Sequence, residues 1–252
     1  MITAAPAWPP ARDRAPLVEG EVRVWLVSLD LAAESGERLA RLLSDDEQER
    51  AARFHFRRDA VRFVAARTAL RTILGECLDV EPRMVSLRYG PRGKPELAVP
   101  FERTGLRFNV SHSDSLVLCA VAGQRRVGVD IERLRPLPDL EAIAERMFSP
   151  GERQALRRLP PAQRHEGFFN CWTRKEAYIK ALGEGLAYPL DRFTVSLAPG
   201  APPRLEEVPD DPAEVGRWTL AALGPEPGYA AAVAIEGRPA RLVCARWQGR
   251  TP

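Results

Sequence analysis

Apolar and polar residues alternate along Glu21 to Leu31 (EVRVWLVSLDL), and this period of two predicts a strand. Strand patterning recurs at Met84 to Tyr89, Leu106 to Val110, Leu116 to Ala122 and Arg126 to Glu132. It returns at Phe193 to Leu197, Arg217 to Leu223, Tyr229 to Ile235 and Leu242 to Trp247. Helical spacing predicts a short helix over Glu37 to Leu43 and a long helical region ending at Leu78, broken near Arg57 to Asp59. Ser44-Asp45-Asp46-Glu47 opens that region as a capping box, with Ser44 as N-cap and Glu47 at N3. Further helices are expected over 139–147, 150–158 and 162–183. Gly90 to Pro95 (GPRGKP), Ser111 to Asp114 and the proline-rich Pro199 to Pro212 read as connections.

The stretch Phe168 to Leu186 (FFNCWTRKEAYIKALGEGL) is the strongest helical signal, closed by Gly183 and Gly185. At 100° per residue, Cys171, Tyr178, Ile179, Ala181 and Leu182 form one apolar side, and Glu176 and Lys180 stand one turn apart on the other. Lys175 falls inside the apolar arc, where an ammonium must snorkel out or meet an anion. An ion-paired core helix and a phosphate-binding helix both fit this pattern.

A weak repeat runs through the chain in consistent order. RVWLVSLDL resembles RVGVDIERL at 126, and Ser44–Glu47 resembles Ser149–Glu152. RTALRTILGECL at 67 resembles RKEAYIKALGEGL at 174, and LVLCAVAG at 116 resembles YAAAVAIEG at 229. The expected fold is α+β: two similar halves about a pseudo-two-fold axis, each a small mainly antiparallel sheet packed with helices. The boundaries expected are a flexible lead-in over 1–20, one half over 21–124 and the other over 125–252, with an active site at the junction.

Composition narrows the class. A net charge of +3 is too small for a dedicated nucleic-acid binder, and the basic run lacks interleaved aromatics suited to base stacking. No apolar run approaches the roughly 20 residues of a membrane span. The N-terminus carries no signal-like apolar region, and Cys77, Cys119, Cys171 and Cys244 lack metal-ligand spacing. A cytoplasmic protein with reduced thiols is expected.

In RVGVDIE a strand puts Gly128, Asp130 and Glu132 on one face, the two carboxylates about 6.6 Å apart along the backbone. Their oxygens can converge on a hard cation, although an acidic edge face is also ordinary. Glu176 could add a third ligand to a Mg²⁺ site, with Lys175 and Lys180 neutralising phosphate charge. His112 and Lys94 are candidate phosphate donors, each otherwise a solvated side chain. Arg50, Arg53 and Arg57 share a helical face, in a run that also holds Arg58, Arg62, Arg67 and Arg71; it is either solvated or phosphate-binding. No P-loop, GxSxG, CxxC or HExxH pattern occurs.

GKP at 93–95, FNVSHS at 108–113, GVDIE at 128–132 and F-x-x-x-WTRKEAYIKALGEGL from Phe168 together resemble the Sfp-type 4'-phosphopantetheinyl transferases. The motifs span most of the region from Ser44 to Leu186, and the pairing of GVDIE with W-x-x-KEAYIK is highly specific. The resemblance implies Mg²⁺-dependent transfer of 4'-phosphopantetheine from coenzyme A to a serine of an acyl or peptidyl carrier protein, releasing adenosine 3',5'-bisphosphate. It implies Asp130, Glu132 and Glu176 as metal ligands, with Glu176, or a metal-bound water beside it, helping to deprotonate the serine. Lys175, Lys180 and His112 match positions contacting the coenzyme A phosphates, and Lys94 and Ser111 match positions near the nucleotide. Arg62 matches a basic residue near the adenine and 3'-phosphate, and Arg50 is a lesser candidate for that phosphate. Glu47 and Phe63 depart from the family pattern at that end of the nucleotide. The resemblance also implies a monomer of the broadly tolerant branch, serving nonribosomal peptide or polyketide biosynthesis. The rival readings are a metal-dependent coenzyme A pyrophosphate hydrolase and a non-catalytic coenzyme A-binding module.

Overall fold

The computed structural model describes residues 8–11, 17–30, 39–90, 93–185 and 188–248. In chain order the first part holds β1 (Glu21–Ser28), α1 (Asp45–Ala52), α2 (Arg57–Leu78), β2 (Leu87–Tyr89), β3 (Pro95–Leu97), β4 (Leu106–Ser113) and β5 (Leu116–Gly123). The second holds β6 (Val127–Arg133), α3 (Leu140–Met147), α4 (Pro150–Arg158), α5 (Pro161–Leu182), β7 (Thr194–Val195) and β8 (Leu205–Glu207). It continues with α6 (Glu214–Arg217), β9 (Trp218–Ala222), β10 (Tyr229–Glu236) and β11 (Arg241–Arg246). The fold is α+β, as the patterning predicts.

Period-two alternation makes both principal sheets two-faced. In the first, ordered β11-β1-β5-β4, Val22, Val24 and Leu26 of β1 face inward, while Trp25 and Val27 face α2. In the second, ordered β6-β10-β9, Val127, Val129 and Ile131 of β6 face the same inner core. The opposite face, through Ala230, Ala232 and Ala234 of β10, packs on α5. The layers are therefore helix, sheet, sheet, helix. The order β1-β5-β4 is matched by β6-β10-β9, antiparallel throughout, and a β2-β3 pair is matched by β7-β8.

Several elements differ from the sequence expectation. The break in the long helical region falls at 53–56, not 57–59, because Phe54 turns back to meet the Phe63 ring at 5.4 Å. Strand β4 runs on through Ser111, His112 and Ser113, which are therefore strand residues rather than a loop. The expected strand at 84–89 begins as a 3-10 turn over Pro82–Met84. The expected helix at 37–43 lies partly outside the described residues. Strand β11 leaves the second part of the chain and pairs in parallel with β1. Residues 9–11 of the lead-in are tied to it, Ala11 N donating to Arg246 O at 2.8 Å and Arg246 N to Pro9 O at 2.8 Å. Among the described residues no helix is long and apolar enough to cross a membrane.

Candidate active site

Helix α5 lies directly on β6 because Gly128 has no side chain. A Cβ there would stand 2.1 Å from the Ala177 carbonyl oxygen and 2.4 Å from the Ala181 nitrogen. Glycine weakens a strand interior and marks close backbone approach. That approach brings Glu176 and Lys180 of α5 beside Asp130 and Glu132 of β6.

Lys180 Nζ donates to Asp130 Oδ1 at 2.6 Å and to Ser111 Oγ at 3.0 Å, and Ser111 Oγ donates to Asp130 Oδ1 at 2.8 Å. Ser113 Oγ donates to Glu132 Oε2 at 3.0 Å. Lys94 Nζ reaches across from the turn before β3 and donates to the Lys180 carbonyl at 2.5 Å. The remaining oxygens are short of partners: Asp130 Oδ2 and Glu176 Oε1 are buried without a hydrogen bond.

The electrostatics follow from this crowding. Burial pushes the Asp130 carboxyl up, opposed by Lys180 and Ser111. Glu132 is raised by burial and then by Asp130. Glu176 is pushed up to about 7, first by burial, then by Asp130, with Glu132 adding and Lys180 opposing. Burial also lowers the Lys94 ammonium. Buried polar atoms are normally satisfied, so two orphaned carboxylate oxygens in an acid-rich cleft call for a positive partner. Hard oxygen donors of this kind suit a divalent cation such as Mg²⁺. Among the described residues no three such side chains already stand at ligating distance. The donor set fits an ion; its geometry is not closed around one.

Lys175 corrects the sequence expectation. It is fully buried, 2.8 Å from Glu152, and donates to the carbonyls of Leu190 at 2.8 Å and Phe193 at 2.5 Å. Its three N–H donors are used within the core, leaving none for a phosphate. The anion that its place in the apolar arc requires is Glu152.

The other candidates lie around the site rather than in it. His112 is exposed and alternates to the side of β4 opposite Ser111. Arg62 pairs with Asp114 at 3.5 Å and borders a cavity of about 340 Å³ with Arg57, Arg58 and Asp30. Arg50 is exposed, its guanidinium 5.2 Å above the Phe63 ring.

Residues 126–234 match the 4'-phosphopantetheinyl transferase superfamily, and residues 33–124 match the 4'-phosphopantetheinyl transferase N-terminal family. The 4'-phosphopantetheinyl transferase HetI of Nostoc sp. is 44% identical over 91% of this chain and 94% of that protein. The chain belongs to the Sfp-type 4'-phosphopantetheinyl transferases. The 4'-phosphopantetheinyl transferase Sfp of Bacillus subtilis (strain 168) is 32% identical over 66% of this transferase and 72% of its own length. The Thermotoga maritima holo-[acyl-carrier-protein] synthase structure overlays 45% of this chain and 63% of its own, with a TM-score of 0.35 and 21% identity.

Both departures from the family pattern have a place in this transferase. Glu47 is buried against Arg71 at 2.5 Å, and Phe63 is a platform contacted by Arg50 and Arg67. Sequence reasoning missed Asn109 and Ser113, whose side chains bind β6, and the packing role of Gly128. A glycine inside a strand pattern was the available signal for the last.

Proposed function

We propose that this transferase moves the 4'-phosphopantetheine group of coenzyme A onto a serine hydroxyl of an acyl or peptidyl carrier protein, with Mg²⁺ required and adenosine 3',5'-bisphosphate released. The gathering of Asp130, Glu132 and Glu176 around Lys180, with two buried oxygens unpartnered, carries this reading. Asp130, Glu132 and Glu176 would hold the cation, which would supply charge neutralisation to the pyrophosphate. Two of the three N–H donors of Lys180 go to Asp130 and Ser111; with 27% of the side chain exposed, the third can meet a phosphate oxygen. Glu176 takes the proton of the attacking hydroxyl, the serine oxygen bonds to the β-phosphorus, and the bond from that phosphorus to the bridging oxygen breaks. The leaving group departs as adenosine 3',5'-bisphosphate. Arg62 and its cavity, with Arg50 and His112, serve the nucleotide end.

The same reading takes the two matched sheets as halves about a pseudo-two-fold axis, divided near Gln124, in a cytoplasmic monomer. The four free thiols suit that compartment.

Intact-protein mass spectrometry of an apo carrier domain, incubated with this protein, coenzyme A and Mg²⁺, tests the proposal. A gain of one phosphopantetheine group, abolished by chelator, is expected. Glu176→Gln should slow it by about 10²–10⁴ while coenzyme A still binds. Near-normal turnover in that variant would sink the role given to Glu176. Cleaved coenzyme A without carrier modification would indicate the hydrolase. Intact coenzyme A and unmodified carriers would indicate a binding module.

A further inference from the structure

Strands β4 and β6 run side by side in the same direction, but they are joined by side chains rather than by a backbone ladder. Every second residue of β4 reaches across. Asn109 Oδ1 accepts from Val129 N at 2.8 Å, Ser111 Oγ donates to Asp130 Oδ1 at 2.8 Å, and Ser113 Oγ donates to Glu132 Oε2 at 3.0 Å. Ser113 Oγ also accepts from Arg133 N at 3.0 Å. One hydroxyl thus fixes both the Glu132 carboxylate and the backbone that carries it. The next residue reinforces the link, Asp114 accepting from Arg133 at 2.6 Å.

We propose that Ser113 is a positioning residue for the carboxylate site, holding Glu132 in the orientation in which it can ligate a cation with Asp130 and Glu176. The inference rests on the metal site of the proposed function and adds a residue from the other half of the chain to it. Without this anchor the half-buried Glu132 carboxylate is free to rotate toward solvent, repelled by Asp130. With it, one carboxylate oxygen is fixed on Ser113 and the other is left for a cation. A hydroxyl behind a ligating carboxylate acts as an outer-shell partner, and removing such a partner typically costs 10–100-fold in metal affinity.

The test is thermal unfolding of the full chain titrated with Mg²⁺ and with Mn²⁺, which reads metal binding without turnover. In Ser113→Ala the metal concentration for half-maximal stabilisation should rise about tenfold. At saturating metal the KM for coenzyme A should return to within about twofold of wild type, since the loss lies in metal affinity. Ser113→Thr keeps the hydroxyl and should restore the metal midpoint. If Ser113→Ala does not fold, Ser113→Cys, with a weaker donor of similar size, should show the same rise. An unchanged midpoint in Ser113→Ala or Ser113→Cys overturns the proposal, as does a Ser113→Thr variant no better than alanine. Wild-type protein that gains no stability from either metal would overturn the metal site itself, and the role of Ser113 with it.

Discussion

Arg71 of α2 donates to Glu47 at 2.5 Å and to the carbonyls of Pro82 and Val85; Lys175 of α5 pairs with Glu152 at 2.8 Å and donates to the carbonyls of Leu190 and Phe193. Each carboxylate is the N3 residue of a capping box, Ser44–Glu47 or Ser149–Glu152. Each helix has 22 residues and ends in a left-handed cap, Asp79 or Gly183. The two parts of the chain thus share a buried ion pair as part of their frame. They differ in what stands beside it. Where the second part has Gly128, Asp130 and Glu132, the repeat gives the first Trp25, Val27 and Leu29, all buried against α2. Glu176 and Lys180 correspond to Thr72 and Glu76. The first part spends these positions on core packing. The second opens them into a cleft of charge, with Gly128 letting its helix lie directly on the strand that carries them.

Removing the cation of each buried pair has the largest expected effect. Lys175→Met or Arg71→Met leaves a buried carboxylate alone and should cost about 3–5 kcal/mol, read by chemical denaturation. Both folded variants should retain transfer activity. A Lys175→Met protein of full stability but no activity would return Lys175 to the site and undo the correspondence.

Glu176 is raised to about 7 in the folded chain against 4.5 as its reference, so the folded state keeps a proton that the unfolded state has lost. Metal-free stability should therefore fall as pH rises from about 4.5 to 7, by up to about 3 kcal/mol at 1.36 kcal/mol per unit. Glu176→Gln should flatten that fall and Thr72→Ala should not. Identical slopes in wild type and Glu176→Gln would remove Glu176 as the source.

The smallest effect probes the helix–strand approach. Gly128→Ala drives a methyl into the α5 backbone and should cost about 1–3 kcal/mol, separating Glu176 from Asp130 and lowering transfer with it. Trp25→Phe at the corresponding position should leave transfer unchanged. Gly128→Ala with unaltered activity would show that the close approach is not what assembles the site.

Much of this was legible in the chain itself. Alternation located most of the strands, the Ser44–Glu47 capping box located α1, and the GVDIE and KEAYIK strings named the three acids and Lys180, because period and chemistry are local properties. The like order of elements in the two parts of the chain was legible too, but the register along the helices was not. The strings LGECL and LGEGL align Leu74 with Leu182, whereas the ion pairs and caps align Arg71 with Lys175 and Asp79 with Gly183, one turn away. The side chain that pairs with Lys175 was also beyond local reading. Glu152 lies on another helix, and an ammonium inside an apolar arc states only that an anion is needed, not where it stands. The same holds for Asn109, Ser111 and Ser113 against β6. Sequence determined which residues could carry charge and which faces were apolar. Tertiary packing alone decided which charges meet, because burial and distance, which set the strength of every ion pair here, arise only when separate elements close on one another.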